Sequence, residues 1–135
     1  MRVRLNVRHT DLLSGETRIL AEGYGLFDGR VLRYRESPPF EGSDRLELRG
    51  DGADLFHEGE TESRTHLYLG RSGTAEAITP FGSMCFETEL IEYKNTGTEM
   101  ILAYRVKQAG ETVSSFRLEY RMEALETDIP DKVSC

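Results

Sequence analysis

"ITPFGSMCFETELIEYKNTGTEMILAYRV" spans Ile78 to Val106, and the way it alternates decides the fold. Pro80–Gly82 at its head and Asn95–Gly97 in its middle punctuate two runs, roughly Ser83–Lys94 and Met100–Lys107. Two such runs around a short glycine-containing loop read as a β-hairpin. The rival reading is helical. "CFETELIEY" holds good helix formers, and Phe86, Leu90 and Tyr93 share a face at helical spacing. The glycine turns on both sides and the matching partner strand favour the hairpin.

Outward from this stretch the dominant period is two. Val3, Leu5 and Val7 alternate with Arg2, Arg4, Asn6 and Arg8, as a half-buried strand requires. "SGE" (Ser14–Glu16) is a turn, and a long strand follows from Thr17 to Phe27, where Gly23 and Gly25 allow the bending that barrel closure needs. Asp28-Gly29 predicts a two-residue type I′ turn into a strand over Val31–Ser37, which Pro38 and Pro39 end. Leu46 and Leu48 mark another strand. Ala53–His57 and Thr65–Leu69 are short strands around the acidic "EGETE", and "GRSG" (Gly70–Gly73) is read as a turn. After "QAGE" a last strand places Phe116, Leu118, Tyr120 and Met122 on one face. Eight to ten short strands joined as successive hairpins predict one all-β domain, an antiparallel β-barrel over residues 1–123. The end, "ETDIPDKVSC", reads as a loosely held tail over residues 124–135.

Composition narrows the function. A chain of 135 residues suits one domain, and 38% hydrophobic residues suffice for a core. The net charge of −7 argues against nucleic acid and against an anionic membrane surface as partners. The N-terminus has no apolar signal region, and two cysteines form no disulfide framework, so a cytoplasmic protein is expected.

"TPFG" (Thr79–Gly82), the strand ending near "TEL", the glycine-containing hairpin and "LAYRV" together resemble the bacterial DUF1934 family of YwiB-like proteins. "VLRYRES" (Val31–Ser37) resembles a tyrosine-x-glutamate strand of that family. The resemblance covers Thr79–Met122 best, Ile19–Arg49 less well, and fades between Gly50 and Gly73. It implies a calycin-like, lipocalin-type barrel, and it supplies no catalytic residues.

No catalytic motif stands out from the residues themselves. His9, His57 and His66 are scattered without metal-ligand spacing, so neither a metal nor a cofactor is assigned. Cys85, between Met84 and Phe86, reads as a small buried cysteine rather than a nucleophile. Glu87 and Glu89 read as a solvated strand face. The inward polar residues are the informative ones. If Leu32 faces the core, Tyr34 and Glu36 do too, and a buried Glu36 needs a partner, for which Arg49, Arg64 or Arg105 is suited. Tyr104 and Tyr120 share faces with apolar neighbours and place hydroxyls in an apolar lumen. Tyr34, Glu36, Arg49, Tyr104 and Tyr120 are therefore the expected ligand-binding set. The expected function is a non-catalytic binding module for an apolar or amphipathic small molecule. The alternative is a packed barrel that acts through self-association, as a homodimer, or through a protein partner on an outer stripe supplied by "MILAYRV".

Overall fold

Alternation of apolar and polar residues gives each strand one face that must leave water. The computed structural model describes residues 1–125, and in it those faces meet inside one closed sheet. The strands are β1 (Arg2–Asp11), β2 (Thr17–Phe27), β3 (Val31–Arg35), β4 (Ser43–Arg49), β5 (Gly52–Glu58), β6 (Glu62–Tyr68), β7 (Arg71–Thr79), β8 (Gly82–Asn95), β9 (Glu99–Gln108) and β10 (Glu111–Ala124). Each pairs antiparallel with its neighbours in sequence, and β1 pairs with β10 from Val3↔Ala124 to Asp11↔Phe116. Closure satisfies the backbone groups that a free edge would expose. The all-β antiparallel barrel expected from the sequence is thus the architecture found. The expected tail beyond Leu125 lies outside the described residues.

Three local readings need correction. Gly70–Gly73 is not simply a turn, because Arg71 begins β7 and "TPFG" is the tight β7–β8 connection. The Asp28-Gly29 loop contains Arg30 as well, and the Asp28 carboxylate accepts from the backbone N–H groups of Arg30 and Val31 at 2.9 and 2.7 Å. The helix-like spacing of Phe86, Leu90 and Tyr93 has a physical source in a β-bulge. The β8–β9 register shifts between Leu90 and Glu92, and the extra residue resets the alternation so that Leu90 and Tyr93 both pack on the core.

The two ends of the barrel differ. At one end Val3, Leu5, Leu32, Leu46, Ala53, Leu67, Met100 and Leu102 fill the lumen. Gly25 belongs to this closure, since a Cβ there would lie 2.9 Å from the Arg33 carbonyl oxygen. The other end is wider. Strands β2 and β3 pair only from Gly25↔Tyr34 to Phe27↔Leu32. Past that point the loop after β3 bridges the gap, with the Ser37 N–H donating to the Leu20 carbonyl and the Glu22 N–H donating to the Ser37 hydroxyl, both at 2.9 Å.

The outer face of β8, β9 and β10 carries ion pairs. "MILAYRV" supplies no exposed apolar stripe there, because Ile101 and Ala103 are buried. Arg117 and Glu92, the cross-strand neighbours of Ala103, form an ion pair at 3.2 Å over it. The stems of such long side chains shield apolar surface while their charged ends stay wet.

Candidate functional site

Three consecutive strands carry their inward alternation to the wide end and finish on a polar residue. On β3 the inward series is Leu32, Tyr34 and then, just past the strand, Glu36; on β4 it is Leu48, Leu46, Asp44; on β5 it is Ala53, Leu55, His57. Antiparallel pairing brings these polar ends together, with Tyr34 opposite Asp44 and Asp44 opposite His57. His57 Nδ1 lies 2.6 Å from Asp44 Oδ1 and 3.0 Å from Glu36 Oε2. The two carboxylate side chains are nearly buried, at 10% and 8% exposure.

The electrostatics follow from this crowding. The Glu36 carboxyl is pushed up to about 8, first by burial and then by the hydrogen bond and charge of Asp44. Two carboxylates in contact favour holding one proton between them. Beneath them Tyr34 is raised well above the usual tyrosine range by burial, with Tyr120 and Asp44 adding to the shift through charge and hydrogen bonding. Burial also raises Tyr104 and Tyr120, so all three phenols stay neutral donors. The rings of Tyr34 and Tyr120 meet edge-on at 6.2 Å, and those of Tyr104 and Phe116 at 5.7 Å. Gly42 makes room for the cluster. It sits at φ 141°, and a Cβ there would stand 2.5 Å from His57 Cε1.

Tyr34, Glu36, Asp44, His57, Tyr104 and Tyr120 line a cavity of about 310 Å³ whose walls also include Leu20, Leu55, Thr65, Leu118 and His9. His9 packs on Phe116 at 4.9 Å, and burial lowers its pKa. A second depression of about 470 Å³ combines Tyr24, Leu26, Arg33, Arg45 and Phe56 with Tyr34 and Asp44. Tyr24 and Leu26 stay exposed there, so this depression is an outer groove beside the same cluster.

Of the residues expected at a site, the structure brings Tyr34, Glu36, Tyr104 and Tyr120 together around the cavity. Arg49 is not with them. It faces outward, donates to the Leu67 carbonyl at 2.7 Å, pairs with Asp54 and Asp51, and lies over the Tyr68 ring at 4.5 Å. It sits opposite Gly52 in the register and next to inward-facing Leu48, so the pleat turns it away. Arg64 and Arg105 do not meet Glu36 either, because they pair with Glu76 and Glu89. The partner of Glu36 is His57, which together with Asp44 was missed. Cys85 is exposed rather than buried.

Fold and site together define a closed up-and-down β-barrel with a packed apolar end and an open end carrying a half-buried carboxylate–histidine cluster. The chain is similar in fold to the crystal structure of ywiB protein from Bacillus subtilis, at a TM-score of 0.63 and 11% identity, over 91% of this chain and 92% of that one. No family model and no curated protein matches the sequence.

Proposed function

We propose that the chain is a non-catalytic binding module that takes an amphipathic small molecule into the open end of the barrel. The observation that carries this reading is the cavity of about 310 Å³, where Leu20, Leu55, Phe56 and Leu118 stand beside the polar cluster of Tyr34, Glu36, Asp44 and His57. Small-molecule sites have this composition, and the volume is at the small end of their range. The apolar part of the ligand lies against Leu55, Leu118 and Tyr104, and its polar head faces Tyr34, Glu36, Asp44 and His57. The fold and the "TPFG" and "LAYRV" segments support placing the chain with the YwiB-like proteins, and the net charge of −7 supports neither nucleic acid nor an anionic membrane as partner. Among the described residues no helix is long and apolar enough to cross a membrane, and the outer face of β8, β9 and β10 carries ion pairs such as Arg105–Glu89 and Arg117–Glu92. An exposed free thiol at Cys85 suits a reducing cytoplasm.

Native mass spectrometry of the freshly purified protein tests the binding reading. A retained mass that is lost on Leu55→Trp, which fills the cavity, supports it. A bare chain that also gives no thermal shift against an amphiphile and metabolite panel overturns it. A second reading, a homodimer through the outer face of β2, is favoured by Tyr24 and Leu26, 62% and 58% exposed. Light scattering that finds a dimer, abolished by Tyr24→Glu, supports that reading; a strict monomer rejects it.

A further inference from the structure

His57 Nδ1 can carry one hydrogen, yet carboxylate oxygens of two residues converge on it. The ion-pair partner of both carboxylates is this same nitrogen. The three potential ligand atoms all lie within 4.8 Å of one another. The one hydrogen on Nδ1 is shared with Asp44, which leaves Glu36 Oε2 at 3.0 Å from the same nitrogen, whereas a dication at their common centre engages all three groups. We propose that Glu36, Asp44 and His57 form a binding site for one divalent transition-metal ion of the zinc type, held by Glu36 Oε2, Asp44 Oδ1 and His57 Nδ1.

The donor set suits that ion. One imidazole and two carboxylates are ordinary zinc ligands, and three protein ligands leave a fourth position for water or another molecule. Ca²⁺ favours six to eight oxygen ligands, and Mg²⁺ favours carboxylate and water oxygens over an imidazole nitrogen. Bonds of about 2.0–2.2 Å in a tetrahedron put ligand atoms about 3.4 Å apart. The present separations of 2.6 and 3.0 Å have to open by less than about 1 Å to admit the ion.

The surroundings resemble the outer support of a metal centre. Tyr34 stands opposite Asp44 in the register and packs edge-on against Tyr120, so one ligand is backed by a fixed ring. Gly42 leaves the space that the His57 ring occupies, where a Cβ would clash with it. Strand pairing fixes Asp44 against His57, while the Glu36 backbone N–H is tied to the Gly42 carbonyl at 2.9 Å. All three ligands line the cavity, so the fourth position faces that space. The site does not depend on the ligand-binding reading. A metal can bind in an empty cavity, and an amphiphile can bind without a metal.

The test is calorimetric titration of the full chain, stripped with chelator, with Zn²⁺ and then with Mg²⁺. One Zn²⁺ per chain, bound at least a hundredfold more tightly than Mg²⁺, is expected, together with a rise in melting temperature. Asp44→Asn and His57→Ala are expected to weaken Zn²⁺ binding more than tenfold, and Cys85→Ser is expected to leave it unchanged. Absence of Zn²⁺ binding, binding that survives His57→Ala, or binding lost in Cys85→Ser overturns the proposal. Should a variant fail to fold, Co²⁺ added to the unmutated protein gives the same decision. It is expected to shift and broaden the NMR signals of Tyr34 and Thr65 while sparing those of Met100 and Leu102. Equal effects on both groups count against the site.

Discussion

The packed end and the open end of the barrel are built from the same strands with the same alternation, yet they do opposite things. At the packed end the inward positions of β3, β4 and β5 are Leu32, Leu46, Leu48 and Ala53, each at most 6% exposed. A few residues along, the inward positions are Glu36, Asp44 and His57 around a cavity. The lumen therefore changes character along the barrel axis, not from one side of the barrel to the other. A hydrophobic end supplies stability, and that stability permits a polar cluster costly to bury on its own.

The largest test of this contrast deletes the same side chain at each end. Leu102 is fully buried within the core. Leu102→Ala is expected to cost about 3 kcal/mol in urea unfolding, within the range of buried leucine truncations. Leu55 is only partly buried and borders the cavity. Leu55→Ala is expected to cost about 1 kcal/mol or less, because it enlarges an existing space rather than creating a sealed void. Equal losses would mean that the open end is as tightly packed as the other.

The next test reads the polar cluster through pH, in chelator-treated protein. The Glu36 carboxyl titrates near 8 in the fold against an ordinary value of 4.5. The folded state therefore keeps a proton that the unfolded chain releases. The stabilising contribution is complete below about pH 4.5 and declines as pH rises, until Glu36 ionises in the fold near pH 8. Urea midpoints are expected to fall between pH 5 and pH 8 (a window spanned by the two pKa values) more steeply in the native sequence than in Glu36→Gln. Identical slopes would remove Glu36 from the buried cluster. His9 works the other way: its lowered pKa makes stability fall as pH drops below the ordinary histidine value of 6.5.

A smaller effect is expected from Tyr34→Phe, which keeps the ring against Tyr120 but removes the hydroxyl beside Asp44. The expected loss is about 1–2 kcal/mol, since a buried carboxylate is left one donor short. A neutral change would show that water replaces that hydroxyl. The case also shows how far the sequence could be read. Leu32, Tyr34 and Glu36 share a face by simple parity, and the fold follows from repeating that rule. Parity also puts Asp44 with Leu46 and His57 with Leu55, so the whole cluster is encoded. Seeing it requires knowing that three hairpin-linked strands deliver those positions to one end, which is a long-range fact. Two features escaped local rules altogether. Strand β7, "RSGTAEAIT", has only Thr74, Ile78 and Thr79 as strong strand formers and no clear apolar alternation, and it is held by pairing with β6 and β8. The bulge in β8 breaks the parity there and produces a helix-like pattern.

The smallest expected effect belongs to Arg49, the one member of the expected binding set that the barrel turns outward. Its guanidinium bridges Asp51 and Asp54 and stacks on Tyr68. Burial alone would raise the Asp54 carboxyl, but hydrogen bonds and charge from Arg49, joined by His66, hold it below the usual range. The pair to Asp51 is solvated, with Asp51 56% exposed, so its attraction is largely screened. Arg49→Ala is expected to cost about 0.5–1 kcal/mol, split between the ion pairs and the lost contact with Tyr68. The ion-pair share is expected to shrink in about 1 M salt, where the screening length is about 3 Å, while the stacking share persists. Retained mass in native spectrometry and Zn²⁺ affinity are expected to be unchanged in this variant, because no part of Arg49 lines the cavity. A weakened site in Arg49→Ala would join the outer ion-pair cluster to the open end and erase the division between inner and outer polar groups.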